Sequence, residues 1–152
     1  MSVPIERQLF NSANAYYQGA TILMKPPDII GAHSSLIVQP AVTCAALSLK
    51  LFLKCLLAIE GKDRDDSSYR IADLYRELSD GAKKMLLGKF DELSNTNMKE
   101  GELLQHLEGL DKAFAKWRYI HEKDARSVNL EDLEEMILAA KAMIAGLRPD
   151  WA

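Results

Sequence analysis

The sequence lacks the short motifs that most often identify an enzyme. Its 152 residues contain no GxxxxGKS/T phosphate loop, no GxGxxG, no HExxH and no GxSxG. Each motif places backbone N–H groups, histidines or a serine where a nucleotide, metal ion or acyl group needs them. The sequence therefore gives no support to the common nucleotide-binding, zinc-dependent and acyl-transfer classes. We expect no cofactor and no metal site.

Cysteine is also scarce, with Cys44 and Cys55 as the two in the chain. If both belong to one helix, their eleven-residue separation places them about 16 Å apart along its axis. A disulfide needs Cα atoms within about 7 Å of each other. We therefore expect two reduced thiols in a reducing compartment, and a cytoplasmic protein.

The chain has no excess of positive charge and no evident targeting segment. Its formal net charge is −3, so no overall basic field is available to attract nucleic acid. Met1–Phe10 has no apolar signal core. Ile29–Leu49 is uncharged over a membrane-sized length, but polar residues such as His33 and Gln39 interrupt it. This pattern favours a buried core helix of a soluble protein over a membrane span.

No stretch alternates polar and apolar residues for long enough to predict a strand. Apolar residues recur instead at helical spacing, separated by proline, glycine and polar breaks. We predict one all-α domain over residues 1–152, an antiparallel helical bundle of five to six helices. The predicted helices cover residues 4–23, 38–60 and 71–78, a segment capped by Ser79 or Asp80 that ends near Leu93, residues 99–123, and residues 129–146.

The second predicted helix is apolar on nearly every side around Leu49, which is typical of a helix surrounded by others. Pro40 fits its first turn. Lys50 and Lys54 lie on one face of this helix. If the helix is enclosed, Lys54 needs an acidic partner, because an unpaired buried charge is costly. Asp73 or Glu77 could supply it; alternatively, both lysines extend to solvent.

The strongest candidate for chemistry lies late in the chain, where Arg118, His121 and Glu122 share one helical face. Histidine exchanges protons near neutral pH, and arginine binds phosphate or carboxylate with a planar fork. Together they could serve phosphoryl transfer. The alternative is an ordinary Arg118–Glu122 ion pair, with His121 completing an apolar seam.

Three segments resemble the HEPN-like family of helical bundles. Ala45–Lys54 (AALSLKLFLK) resembles the family's central A-H-L-A-L-E-L-Y-L-K helix. Ile71–Leu78 (IADLYREL) resembles the next helix, H-D-L-x-x-L-x-x-L, and Phe114–Glu122 (FAKWRYIHE) resembles the late F-x-x-W-R-Y-x-x-E segment. The order and separations agree, and the similarity covers roughly residues 35–123.

The resemblance implies an antiparallel bundle that is often a dimer. Some branches are metal-independent ribonucleases with an R-x(4–6)-H motif, and others are non-catalytic binding or scaffold modules. In this chain too few residues separate Arg118 from His121 to match that motif. Lys116 has the right interval, but lysine lacks the bidentate fork.

Further departures from the family pattern weaken the nuclease interpretation. Ala46 replaces the family's usual histidine, Lys50 its glutamate, and Ala72 the histidine before Asp73. The positions that match the family and carry charge are Lys54, Asp73, Arg118 and Glu122.

We therefore expect a non-catalytic binding or scaffold protein, a homodimer, in which Lys54, Asp73 and Glu122 form a polar network with Arg118. The alternative is a metal-independent ribonuclease, or an RNA-associated HEPN-like protein, of the toxin or defence type that uses His121 and Arg118. A partner protein or RNA is a further expected ligand, and a membrane is not. A small-ligand pocket between helices is a third possibility.

Overall fold

The protein is all-α, with six helices packed against each other. The computed structural model describes residues 3–24, 32–62, 70–94, 99–117 and 130–151, and these contain no strand. A short 3₁₀ helix, Pro149–Trp151, follows the sixth helix. The six helices are α1 (Ile5–Met24), α2 (Ala32–Ile59), α3 (Ile71–Glu77), α4 (Asp80–Ser94), α5 (Glu100–Trp117) and α6 (Leu130–Leu147).

Helix α2 forms the centre of the structure. It packs against α1, α6, α3 and α5, and Leu49, Phe52 and Leu53 on it are fully buried. The hydrophobic core around them is one cluster to which all six helices contribute. The prediction that neighbours enclose the stretch around Leu49 is therefore confirmed.

Part of α2 also has the length and composition of a membrane-spanning helix. This 19-residue part, Ala41–Ile59, is 56% buried inside the protein. The core helix of a bundle meets the same length and composition criteria, because a helix enclosed on all sides is apolar all round.

Helices α1 and α2 run antiparallel over most of their lengths. The Cys55 Sγ donates to the Glu6 carbonyl at 3.1 Å, and the Ser48 Oγ donates to the Ala13 carbonyl at 2.7 Å. A Cβ built on Gly19 would lie 4.0 Å from the Cys44 Sγ. As the residue number rises along α1, that of its partner on α2 falls. Ser48 thus satisfies its buried hydroxyl on the neighbouring backbone.

The helix boundaries follow local signals in most places. The Ser79 Oγ accepts a hydrogen bond from the Ala82 N–H at 3.2 Å, which confirms Ser79 as the N-cap of α4. Helix α2 ends at Ile59, and the predicted stop residue Gly61 follows in the turn, where its φ of 76° is the left-handed conformation that glycine adopts without strain.

One predicted boundary was wrong. Helix α2 begins at Ala32, six residues before the predicted start at Val38. Pro40 is predicted to lie in the first turn, but the helix continues through it. Residues 32–39 contain no glycine or proline, so none of them stops the helix. Pro40 lacks one backbone N–H donor, and the loss of this one hydrogen bond does not end the helix.

Candidate binding groove between α3 and α5

The predicted catalytic residues lie outside the part of the chain that the structure describes. The described part of α5 ends at Trp117, so Arg118, His121 and Glu122 fall within the undescribed residues 118–129. Their assignment to phosphoryl-transfer chemistry, and that of Glu122 to a polar network, remain predictions.

The structure describes the other two predicted site residues, Lys54 and Asp73, and shows no ion pair between them. Lys54 is partly buried on α2 and pairs with no carboxylate among the described residues. Asp73 instead accepts from Arg76 Nη1 at 2.7 Å. Of the two carboxylates considered as partners for Lys54, Asp73 is therefore engaged by an arginine one turn along α3, and the polar network remains a prediction.

Two alanines on α2 and α3 belong to the core. Ala46 and Ala72 are each 2% exposed and are part of the hydrophobic cluster. A small apolar side chain at these positions contributes to packing.

A pair of hydrogen bonds joins α5 to the beginning of α3. Asp111 Oδ1 accepts from the Ile71 N–H, and Asp111 Oδ2 accepts from the Ala72 N–H, both at 2.9 Å. These N–H groups belong to the first turn of a helix and have no partner within it. Arg70, the residue before the helix, makes no side-chain cap. Asp111 therefore caps α3 from another helix.

A second contact joins the other end of α3 to α5. Arg76 donates from Nη1 to Asp73 and from Nη2 to Glu108 Oε1, at 2.7 and 2.8 Å. These side chains are 42–46% exposed, so solvent screens the charges and the pairs contribute modestly to stability. Their geometric effect is to hold α3 and α5 together at a second point.

Between these contacts lies a small open cavity of about 100 Å³. We call the cavity and its walls the α3–α5 groove. Its walls carry three cationic and three anionic side chains and one small apolar residue. They are Arg70, Ala72, Asp73, Arg76, Glu108, Asp111 and Lys112.

Sequence reasoning missed most of this groove. The spacings Asp73–Arg76 and Glu108–Lys112 are typical of helix-surface pairs, and could have marked charged faces on α3 and α5. The capping role of Asp111 has no such signal, because it lies 40 residues from Ile71 and the two meet only in the folded chain.

Two titratable groups outside the groove have raised pKa values, which make them less reactive at neutral pH. The pKa of Tyr17 is raised to about 12, mainly by burial and to a smaller extent by the hydrogen bond to Glu134 and the negative charge of that residue. The pKa of Cys55 is raised to about 12, mainly by burial and also by the negative charge of Glu6. The positive charge of Arg148 lowers it by a smaller amount. Both groups stay protonated at neutral pH, so neither is an activated nucleophile.

Comparison with known proteins identifies no family for this chain, since no family model, curated protein or solved structure matches it.

Proposed function

We propose that this chain is a non-catalytic binding or scaffold protein of the HEPN-like type that acts as a homodimer and uses the α3–α5 groove as a binding surface. The similarity of its central, following and late segments to that family supports the proposal, as does the six-helix architecture. The binding part of the proposal is based on the α3–α5 groove.

The observation that carries the proposal is the double anchoring of α3. Both carboxylate oxygens of Asp111 are engaged by backbone N–H groups, and Arg76 is engaged by two carboxylates. These charged groups therefore maintain the shape of the groove and are already committed within the protein. A surface held in place before the ligand arrives loses less conformational entropy on binding, which favours affinity.

The non-catalytic part of the proposal is tested with structured RNA. The purified protein and a His121→Ala variant are incubated with the RNA in EDTA, and the products are separated on a denaturing gel. We expect neither protein to cleave above a buffer blank. Cleavage by the wild type that His121→Ala abolishes would overturn the proposal in favour of the metal-independent ribonuclease with Arg118 and His121 as its site.

The homodimer is tested by size-exclusion chromatography with light scattering. The chain has a mass of 17.0 kDa, so the proposal predicts a particle of twice that mass at micromolar concentration. A particle of one chain's mass at every concentration would contradict this part of the proposal.

A further inference from the structure

Two cations of the α3–α5 groove have no carboxylate partner among the residues that the structure describes. Arg70 and Lys112 both line the cavity and both are exposed. Neither forms an ion pair with any residue in the described ranges. This distinguishes them from Arg76, whose guanidinium is already paired with Asp73 and Glu108.

The anchoring contacts place these two cations at the same end of the groove. Asp111 binds the first turn of α3, while Glu108, one turn earlier on α5, binds Arg76 near the end of α3. Helix α3 therefore runs antiparallel to α5. Arg70 precedes Ile71, and Lys112 follows Asp111, so both stand where α3 begins.

Within the described part of the chain, positive charge at this end is incompletely balanced. The carboxylate that stands there, Asp111, has each oxygen bound to a backbone N–H of α3. At the other end, Arg76 lies between two carboxylates. An anion is therefore attracted to the Arg70–Lys112 end and repelled by the Asp73–Glu108 end.

The size and charge of the cavity favour a carboxylate. A volume of about 100 Å³ has room for a carboxylate group. Asp73, Glu108 and Asp111 line the same cavity, so a small anionic group that stays at the Arg70–Lys112 end meets the least repulsion. Arginine and lysine bind carboxylates through short charge-assisted hydrogen bonds.

We propose that Arg70 and Lys112 together bind a carboxylate side chain from an acidic segment of a partner protein. This inference rests on the proposed binding function and names the chemistry of its ligand. The Arg70 guanidinium is the bidentate donor, Lys112 adds a point charge, and the anchored helix pair sets the distance between them.

The test is isothermal titration calorimetry of the full chain with a hexaglutamate peptide in low-salt buffer. The test variant is Arg70→Ala/Lys112→Ala, and the control is Lys84→Ala/Lys89→Ala on α4, which removes the same two charges elsewhere. Neither Arg70 nor Lys112 makes a side-chain hydrogen bond or ion pair with a described residue, and circular dichroism checks that all three proteins fold equally. We expect the test variant to bind about tenfold more weakly than the wild type and the control within about twofold.

Three results would overturn the inference. The first is no heat of binding for the wild type at millimolar peptide, and the second is equal weakening of peptide binding by both double variants. The third comes from a competition titration, in which inorganic phosphate would displace the peptide as strongly as glutarate does. Each would leave the RNA and light-scattering results untouched, so failure of this site is distinguishable from failure of the proposed function.

Discussion

The phenolic hydroxyl of Tyr17 on α1 donates a hydrogen bond of 3.0 Å to Glu134 Oε1 on α6. The two residues lie 117 positions apart in sequence. The C-terminal 3₁₀ helix also contacts α1, because the ring of Trp151 packs against that of Phe10 with 5.5 Å between the ring centroids. Helix α1 is thus held between α2 and the end of the chain.

Replacing Tyr17 with phenylalanine should destabilise the protein by about 1 kcal/mol, because the substitution removes the donor and leaves the partly buried Glu134 carboxylate without it. Urea denaturation measures the change. Tyr16→Phe is the matched control, since Tyr16 is 42% exposed and forms no hydrogen bond with a described residue. Equal stability of the two variants would show that the Tyr17 contact contributes nothing.

The same contact predicts a high-pH dependence. The pKa of Tyr17 is raised to about 12, above its value of about 10 in an unfolded chain. The folded state therefore holds this proton more tightly, so the stabilisation is complete below pH 10 and is lost as pH rises toward 12. Ultraviolet titration of phenolate should show a late-ionising tyrosine that disappears in Tyr17→Phe. A native titration identical for both proteins would contradict this.

Cys55 should be unreactive in the folded protein. Its side chain is fully buried, its Sγ donates to the Glu6 carbonyl, and its pKa is raised to about 12. In Cys44→Ala protein at pH 8, a disulfide-exchange reagent should label Cys55 at least about tenfold more slowly than in urea. In Cys55→Ala protein, the half-buried Cys44 should label faster. Rapid native labelling of Cys55 would show that α1 does not cover it.

The predictable and unpredictable parts of the structure differ in how far apart the interacting residues lie. The burial of Leu49 follows from a helix that is apolar all round, which is a local property of the sequence. The cap that Asp111 places on α3 depends on where two separate helices meet. The same holds for the convergence of Arg70 and Lys112, since each looks like an isolated surface cation in the sequence.

The Lys54 prediction shows the same limit. The enclosed position of α2 is predicted correctly, and it leaves two alternatives for Lys54, an acidic partner or extension to solvent. A partly buried lysine can extend its apolar stem along the core and keep its ammonium group in water. The structure pairs Asp73 with Arg76, which is nearer on the same helix.

Replacing Leu49 with alanine should cost about 2–5 kcal/mol, because the side chain is fully buried and its loss leaves a cavity. Leu93→Ala is the control, because Leu93 is 47% exposed on α4 and should change stability by less than about 1 kcal/mol. Denaturation midpoints give both values. A small effect at Leu49 would mean that α2 is not enclosed.

Hydrogen exchange at the Ile71 and Ala72 amides tests most directly whether Asp111 anchors α3 and thereby forms the groove. Asp111→Ala is compared with Glu102→Ala, an exposed position on α5 that removes the same charge. We expect Asp111→Ala to destabilise the protein by about 1–2 kcal/mol and to speed exchange at both amides by about tenfold, with little change in Glu102→Ala. Unchanged protection of both amides in Asp111→Ala would contradict the anchoring of α3, and the preformed groove with it.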